Sequence, residues 1–354
     1  MECFLYNTPS GFIQMNTDTD IQRRFSVAPM MEWTDRHCRY FHRLLSQHAL
    51  LYTEMVTTGA LLHGDAERFL RFNSQEHPVA LQLGGSDPVE LAKSARLGEQ
   101  AGFDEINLNA GCPSDRVQRG KIGACLMAEP ALVRECMDAM IQAVDIPVTI
   151  KCRIGIDNMD SLAFLSEFVG TVAESGCHTF IIHARIAVLD GLSPKENREI
   201  PPLNYARVFA IKEQFPDLEI IINGGIRSLP QAQELLVHVD GVMMGREAYQ
   251  NPAILADVDQ QIFGSHVPGK SRLDVMEEFT EYVAREMAQG TALKHMTRHI
   301  LGLFQGRPGA KQFRRYLSEN AHKPDAGLEV LDTAWQHFRE YSPQLTQQKE
   351  ISVC

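Results

Sequence analysis

Along residues 25 to 251, short runs of β-branched and large apolar residues alternate with longer stretches whose apolar positions recur every three or four residues. FSVAPM (25 to 30), LYTEM (51 to 55), VALQL (79 to 83), EINLN (105 to 109), VTIK (148 to 151), TFIIHA (179 to 184), EIIING (219 to 224) and GVMMG (241 to 245) predict eight strands. Between them, DPVELAKSARLGEQAG predicts a helix capped by Asp87, with Pro88 in its first turn and Gly102 at its end. EPALVRECMDAMIQAV, after Glu129, and LAFLSEFVGTVAESG, up to Gly176, follow the same plan. Strand and helix alternating through eight units favour a TIM (β/α)8 barrel over an open doubly wound sheet, whose GxGxxG fingerprint is missing.

After IFGSHVPGKS the strand signals stop, and amphipathic segments such as LDVMEEFTEYVAREMAQG and DTAWQHFREYS follow one another. The expected division is a flexible extension over 1–22, a catalytic α/β barrel over 23–268, an all-helical domain over 269–345 and a flexible tail over 346–354.

Composition narrows the class. No apolar run reaches the roughly 18 to 20 residues of a membrane span, and the first residues lack the basic-then-apolar order of a signal peptide. A cytoplasmic, monomeric protein is expected, with no membrane contact. The 8 cysteines form no CxxC pair, which argues against a zinc ribbon or a disulfide framework, so no metal is expected.

The net charge of -11 argues against a polyanionic partner until its distribution is read. Residues 1–264 hold 22 Lys and Arg against 34 Asp and Glu, whereas 265–354 hold 12 against 11. Within the second part, 294–323 carries seven basic side chains and a single acid, Glu319. The acidity belongs to the barrel alone.

In a (β/α)8 barrel, chemistry sits where the strands end at their C-terminal side, because only those loops converge over the closed core. The first strand ends in Ala28-Pro29-Met30-Met31, and polar or glycine-rich residues stand at the others: Glu54, Gln82, Asn107 with Asn109, Lys151 with Arg153, His183 with Arg185, Asn223-Gly224-Gly225, and Gly245-Arg246. The last two sets suit a phosphate, which such barrels hold on the loops after strands seven and eight. Lys151 can stabilise a ring that becomes anionic on reduction, and Gln82 can donate and accept along a planar ring edge. An ion pair for Lys151 and a satisfied strand-end amide for Gln82 are the ordinary alternatives. Taken together the residues favour a flavin mononucleotide (FMN) site, with a pyridoxal Schiff base at Lys151 as competitor.

NLNAGCPSDRVQRGKIGACLM (107 to 127) places Cys112 three residues past the end of the fourth strand, before Pro113, Ser114 and Asp115. Cys38, Cys136, Cys152 and Cys177 read as small core residues. A free thiol titrates near ~8.5, so at neutral pH it can give a proton to a carbanion-like carbon, and as thiolate it can attack. Position alone leaves acid and nucleophile open, and Cys125 in KIGAC is the rival loop thiol.

APMMEWTDRHCR, LYTEM, VALQLGGSDP, NLNAGCPS, KCRIG, IIHAR, INGGI and MMGREAYQNP together resemble the tRNA-dihydrouridine synthases, from about Phe25 to Tyr341. GLSPKENREIPPLNY (191 to 205) with GRPGAKQFRRYLSE (306 to 319) resembles the A type, which acts at uridines 20 and 20a of the tRNA D-loop. The resemblance implies an FMN enzyme reduced by NADPH, hydride transfer to carbon 6 of a flipped uracil, and protonation of carbon 5 by Cys112. It implies FMN contacts from Pro29, Met30, Met31, Gln82, Lys151, His183, Asn223, Gly224, Gly225, Gly245 and Arg246. By the same resemblance Asn109 touches the substrate nucleotide, and Lys195, Arg198, Lys311 and Arg314 fix how tRNA lies. Two other readings stay in view: an FMN barrel acting on a free pyrimidine, disfavoured by the basic helices, and an inactive RNA-binding barrel, disfavoured by Cys112, Lys151 and His183.

Overall fold

The computed structural model describes residues 21–114 and 120–341. The expected extension before Ile21, Asp115 and the tail from 346 lie outside them. The strands are β1 (Phe25–Val27), β2 (Leu50–Tyr52), a short β3 (Val56–Thr57), β4 (Val79–Gly84), β5 (Glu105–Ala110), β6 (Val148–Arg153), β7 (Thr179–His183), β8 (Glu219–Asn223) and β9 (Gly241–Met244). All pair in parallel, and β9 pairs back onto β1, closing a ring of eight to which β3 is an addition beside β4. The helices around them are α1 (Arg36–Leu45), α2 (Thr58–His63), α3 (Ala66–Leu70), α4 (Pro88–Ala101), α5 (Pro130–Ile141), α6 (Leu162–Ala173), α7 (Tyr205–Gln214), α8 (Leu229–Leu235), α9 (Arg246–Gln250) and α10 (Val258–Gln261). This is a TIM barrel. Asp87 caps α4 by accepting from Glu90 N, and Gly102 ends it at φ 95°.

Period-two alternation sorts each strand between two cores. On β5, Ile106, Leu108 and Ala110 join the large apolar layer under the helices. The barrel interior holds a smaller cluster of Ala28, Leu50, Tyr52, Ala80, Ile181, Ile221 and Met243 with Ile21. Glu105, Asn107, Gln82 and Thr149 are buried beside it, so the interior is partly polar.

Two strand ends differ from expectation. β1 stops at Val27 because Pro29 has no N–H to continue the ladder, and the chain turns with Trp33 N and Thr34 N on Met30 O. The run 51 to 55 breaks after Tyr52: the Thr53 hydroxyl accepts from Gln82 N, taking the place of a ladder carbonyl. Glu54 then accepts from Glu32 N, on the loop after β1.

Beyond the barrel come α11 (Arg272–Ala288), α12 (Lys294–Thr297), α13 (Ala310–Asn320) and α14 (Leu328–Tyr341). α11 packs on α1, with Tyr282 stacked on Tyr40 at 3.9 Å and Phe279 edge-on to Phe41 at 5.3 Å. Arg36 donates to Glu286 alongside. Phe279 is fully buried. Phe279→Ala is expected to cost about 3–5 kcal/mol, seen as a lower urea midpoint for the first unfolding transition. Among the described residues no helix is long and apolar enough to cross a membrane.

Candidate active site

The C-terminal ends of the strands open on a cavity of about 800 Å³. Pro29, Met30 and Met31 line it from the loop after β1, Gln82 from β4, Asn109 and Cys112 from β5 and its loop, Lys151 from β6 and His183 from β7. Asn223, Gly224 and Gly225 follow from β8, Gly245 and Arg246 from β9, and Arg198 reaches the rim. The parallel ring explains the convergence, since it brings all these strand ends to one side of the barrel. Lys195, Lys311 and Arg314 are exposed and do not line the cavity.

Lys151 Nζ donates to Asn223 Oδ1 at 3.0 Å, and Asn223 Nδ2 donates to Met243 O at 2.7 Å. Asn223 is thereby held with its oxygen toward the lysine. Burial, followed by the nearby Arg153 guanidinium, pushes the Lys151 ammonium down to about 8. Burial, followed by Arg153 and Lys151, holds His183 well below the usual imidazole range, so it stands neutral at physiological pH. Its buried Nδ1 has no hydrogen-bond partner among the described residues.

Gly224 and Gly225 adopt φ 113° and 72°, conformations that side-chain-bearing residues rarely adopt. A Cβ at Gly225 would also meet Leu203 Cδ1 at 2.4 Å. Tyr205 OH donates to Gly224 O at 2.7 Å and holds the turn. Beside it, Arg246 pairs with Glu199 at 2.7 Å. Arg185 is pulled below its ordinary value by burial, and Arg246 and Arg227 add to this, which marks a local excess of positive charge.

Cys112 is half-buried at the cavity wall, its N–H donating to Asn109 Oδ1 at 2.9 Å and its carbonyl accepting from Ala124 N at 2.9 Å. Cys38, Cys136, Cys152 and Cys177 are buried, as expected of core residues. Burial pushes the last three up to about 12. The Cys125 thiol donates to Ile122 O and stands outside the cavity lining.

Two expected mouth residues line the cavity and also hydrogen-bond within the protein. Asn109 has both ends of its amide engaged, Oδ1 by Gly111 N and Cys112 N and Nδ2 by Gln82 Oε1, so it shapes the turn that carries the thiol. Arg153 is buried and braces three carbonyls, Gly111 O at 2.8 Å, Ile186 O at 2.8 Å and Asn197 O at 3.2 Å. It ties the Cys112 loop to the loop after β7. Its place in KCRIG marked it, but only the fold shows its side chain turned onto those carbonyls.

Sequence reasoning passed over Trp33. It lines the cavity and stacks on Tyr249 at 4.3 Å. Tyr249 OH meets His299 Nδ1 at 3.2 Å, and His299 Nε2 lies 3.0 Å from Asp35, which also accepts from Arg298. Trp33 is one of only 2 tryptophans and stands two residues past Met31, which was the available signal.

The family model described as Dihydrouridine synthase (Dus) matches residues 26–340. A tRNA-dihydrouridine(20/20a) synthase of Vibrio cholerae is 64% identical over 312 residues, which make up 88% of this chain and 95% of that protein. The Escherichia coli protein of that name is 61% identical over 319 residues, 90% of this chain and 92% of its own. Among solved structures, a 2-naphthoyl-CoA reductase with 2-naphthoyl-CoA superposes with a TM-score of 0.53 over 68% of this chain and 50% of that one, at 12% identity, a likeness of fold alone. With a family match across nearly the whole barrel and helical region, and relatives this similar along more than nine tenths of their own length, the chain belongs to the dihydrouridine synthase family.

Proposed function

We propose that this protein is a cytoplasmic enzyme that reduces the carbon 5 to carbon 6 double bond of uridines 20 and 20a in the tRNA D-loop, giving 5,6-dihydrouridine. The observation that carries this reading is a cavity whose walls combine Lys151, His183, Asn223 and the Gly224-Gly225 turn with the Cys112 thiol.

The residues fit FMN. The glycine turn leaves backbone accessible to a phosphate, Arg246 and Arg198 add charge at the same rim, and His183 Nδ1, a buried polar atom with no partner among the described residues, is in want of a ligand. Bound here and recharged by NADPH, FMN would supply the hydride for carbon 6 of the uracil. Lys151, with Asn223 holding it, places a positive charge on that wall of the cavity. Met30, Met31 and Trp33 line the cavity from the β1 side and would offer the ring an apolar wall. Addition at carbon 6, conjugate to the carbon 4 carbonyl, leaves an enolate on the uracil. The Cys112 S–H bond breaks as the carbon 5 C–H bond forms, and the thiolate regains its proton from solvent. Asn109, beside Cys112, is the contact for the substrate nucleotide.

The helical region 269–345 and the loop after β7 would take the tRNA backbone. Lys311 and Arg314 stand exposed on α13 while Phe313 and Leu317 of that helix face the core. Lys195 and Arg198 are exposed on the loop after β7. The double variant Lys311→Ala, Arg314→Ala is expected to weaken tRNA binding and to lower the slope of log affinity against log salt by about 2, with flavin reduction unchanged. Filter binding across a salt series reads both, and an unaltered slope would move the docking face elsewhere.

The deciding experiment gives purified protein FMN, NADPH and unmodified tRNA, and maps dihydrouridine by mass spectrometry. Product at positions 20 and 20a is expected. Protein that stays colourless after reconstitution, or flavin-loaded protein that leaves both uridines intact, would sink the reading.

A further inference from the structure

A single file of hydrogen bonds runs through the barrel interior from its closed end to the Cys112 loop. Arg23 pairs with Glu105 Oε2 at 2.7 Å, and Glu105 Oε1 accepts from the Thr149 hydroxyl at 2.6 Å. Thr149 Oγ1 accepts from Asn107 Nδ2 at 2.9 Å, and Asn107 Oδ1 accepts from Gln82 Nε2 at 2.8 Å. Gln82 Oε1 accepts from Asn109 Nδ2 at 2.8 Å, and Asn109 Oδ1 takes the N–H groups of Gly111 and Cys112. Glu105, Thr149, Asn107 and Gln82 are each no more than 1% exposed, so water does not compete for these bonds.

The direction of this file is fixed at both ends. A carboxylate facing an arginine accepts only, and a backbone N–H donates only. Thr149 spends its one proton on Glu105, so the Asn107 atom beside it must be the amide nitrogen. From the other end, two N–H groups require the Asn109 atom beside them to be oxygen. Each amide between has one orientation, although amide oxygen and nitrogen are otherwise interchangeable choices. Gln82, at the cavity wall, is left with one N–H and one lone pair of its oxygen in a set order.

We propose that Glu105, Thr149 and Asn107, none of which touches the cavity, are positioning residues that hold the Cys112 loop and set which end of the Gln82 amide donates to a ligand. The idea deepens the reading of the cavity as a uridine-reducing site and rests on it for its functional meaning. The geometry it describes can be tested without either flavin or tRNA.

The test is hydrogen exchange on the full-length protein as purified, read by mass spectrometry on the peptide spanning 107–114, with the rate of Cys112 alkylation by iodoacetamide as a second readout. Thr149→Val keeps the shape and removes both bonds of the hydroxyl, and is expected to speed exchange of the loop about tenfold and to shift alkylation several-fold. Thr149→Ser restores the hydroxyl and is expected to stay near wild type. Tyr52→Phe removes another hydrogen bond to the same Glu105 oxygen without interrupting the file, and should leave the loop unchanged. If Thr149→Val does not fold, Thr149→Ala carries the same expectation. Wild-type exchange in the chain-breaking variant, equal loosening by Tyr52→Phe, or no rescue by serine would each overturn the proposal. Flavin absorbance after reconstituting the same proteins with FMN keeps the two ideas apart: protein that stays colourless, with a loosened loop in the variant, leaves this inference standing and removes the functional reading.

Discussion

Cys112→Ala is expected to lower dihydrouridine formation by about 10² to 10⁴-fold while NADPH still bleaches the flavin at close to the wild-type rate. The two half-reactions ask different things of the cavity. In the proposed reaction, reduction of the flavin would use the wall built by Lys151, His183, Asn223 and the glycine turn, none of which the substitution touches. Completing the product needs a proton at carbon 5, and Cys112 is the one cysteine among the described residues that lines the cavity. Its backbone is tied to Asn109 and Ala124, so removing the thiol removes the acid and leaves the loop in place. Rapid mixing of pre-reduced enzyme with tRNA isolates the affected step. Product forming at the wild-type rate would refute the acid role, and loss of flavin bleaching as well would show that the residue does something else.

Lys151→Met is expected to slow flavin reduction by NADPH about 10² to 10³-fold, because it removes a preorganised charge from a water-poor wall. A pH signature accompanies the loss. Burial brings the folded-state value from the ordinary 10.5 down to about 8, so the ammonium is present below that pH and disappears as pH rises through it. In the wild-type protein the rate of flavin reduction should therefore fall above about pH 8, and that limb should be missing in Lys151→Met. Stopped-flow profiles of the two proteins decide it, and superimposable pH dependence would dismiss the lysine as the titrating group.

Much of this was legible because barrel chemistry is periodic. EINLN alternates polar and apolar residues, and once the strand count points to a barrel, Asn109 and the loop beyond it must lie at its catalytic end. The same counting placed Lys151, His183, Asn223 and the glycine pairs, and the cavity gathers all of them. The four core cysteines were also readable as small core residues, away from the loops at the catalytic end. The ends of strands were less so. Pro29 shortens β1 by a local rule that could have been applied in advance, whereas the break after Tyr52 depends on a Thr53 hydroxyl meeting Gln82 N from a strand 29 residues on.

The sequence by itself determined which residue types stand at each strand end, the helical region after the barrel, the uneven distribution of charge, and a family resemblance that the relatives bear out. Tertiary structure alone decided where the polar atoms spend their hydrogen bonds. Arg153 and Lys151 leave the same strand end and both line the cavity, yet the Arg153 guanidinium is spent on three carbonyls and braces the Cys112 loop, while Lys151 donates to Asn223 across the barrel. Glu105, Thr149 and Asn107 are visible as polar interruptions in apolar strands, but their linkage follows from register, in which Gln82 lies opposite Asn107 and Asn107 opposite Thr149. The physical reason is range. Periodicity is a property of neighbours along the chain, while a buried hydrogen bond is chosen by whichever donor or acceptor the closed barrel brings across from another strand.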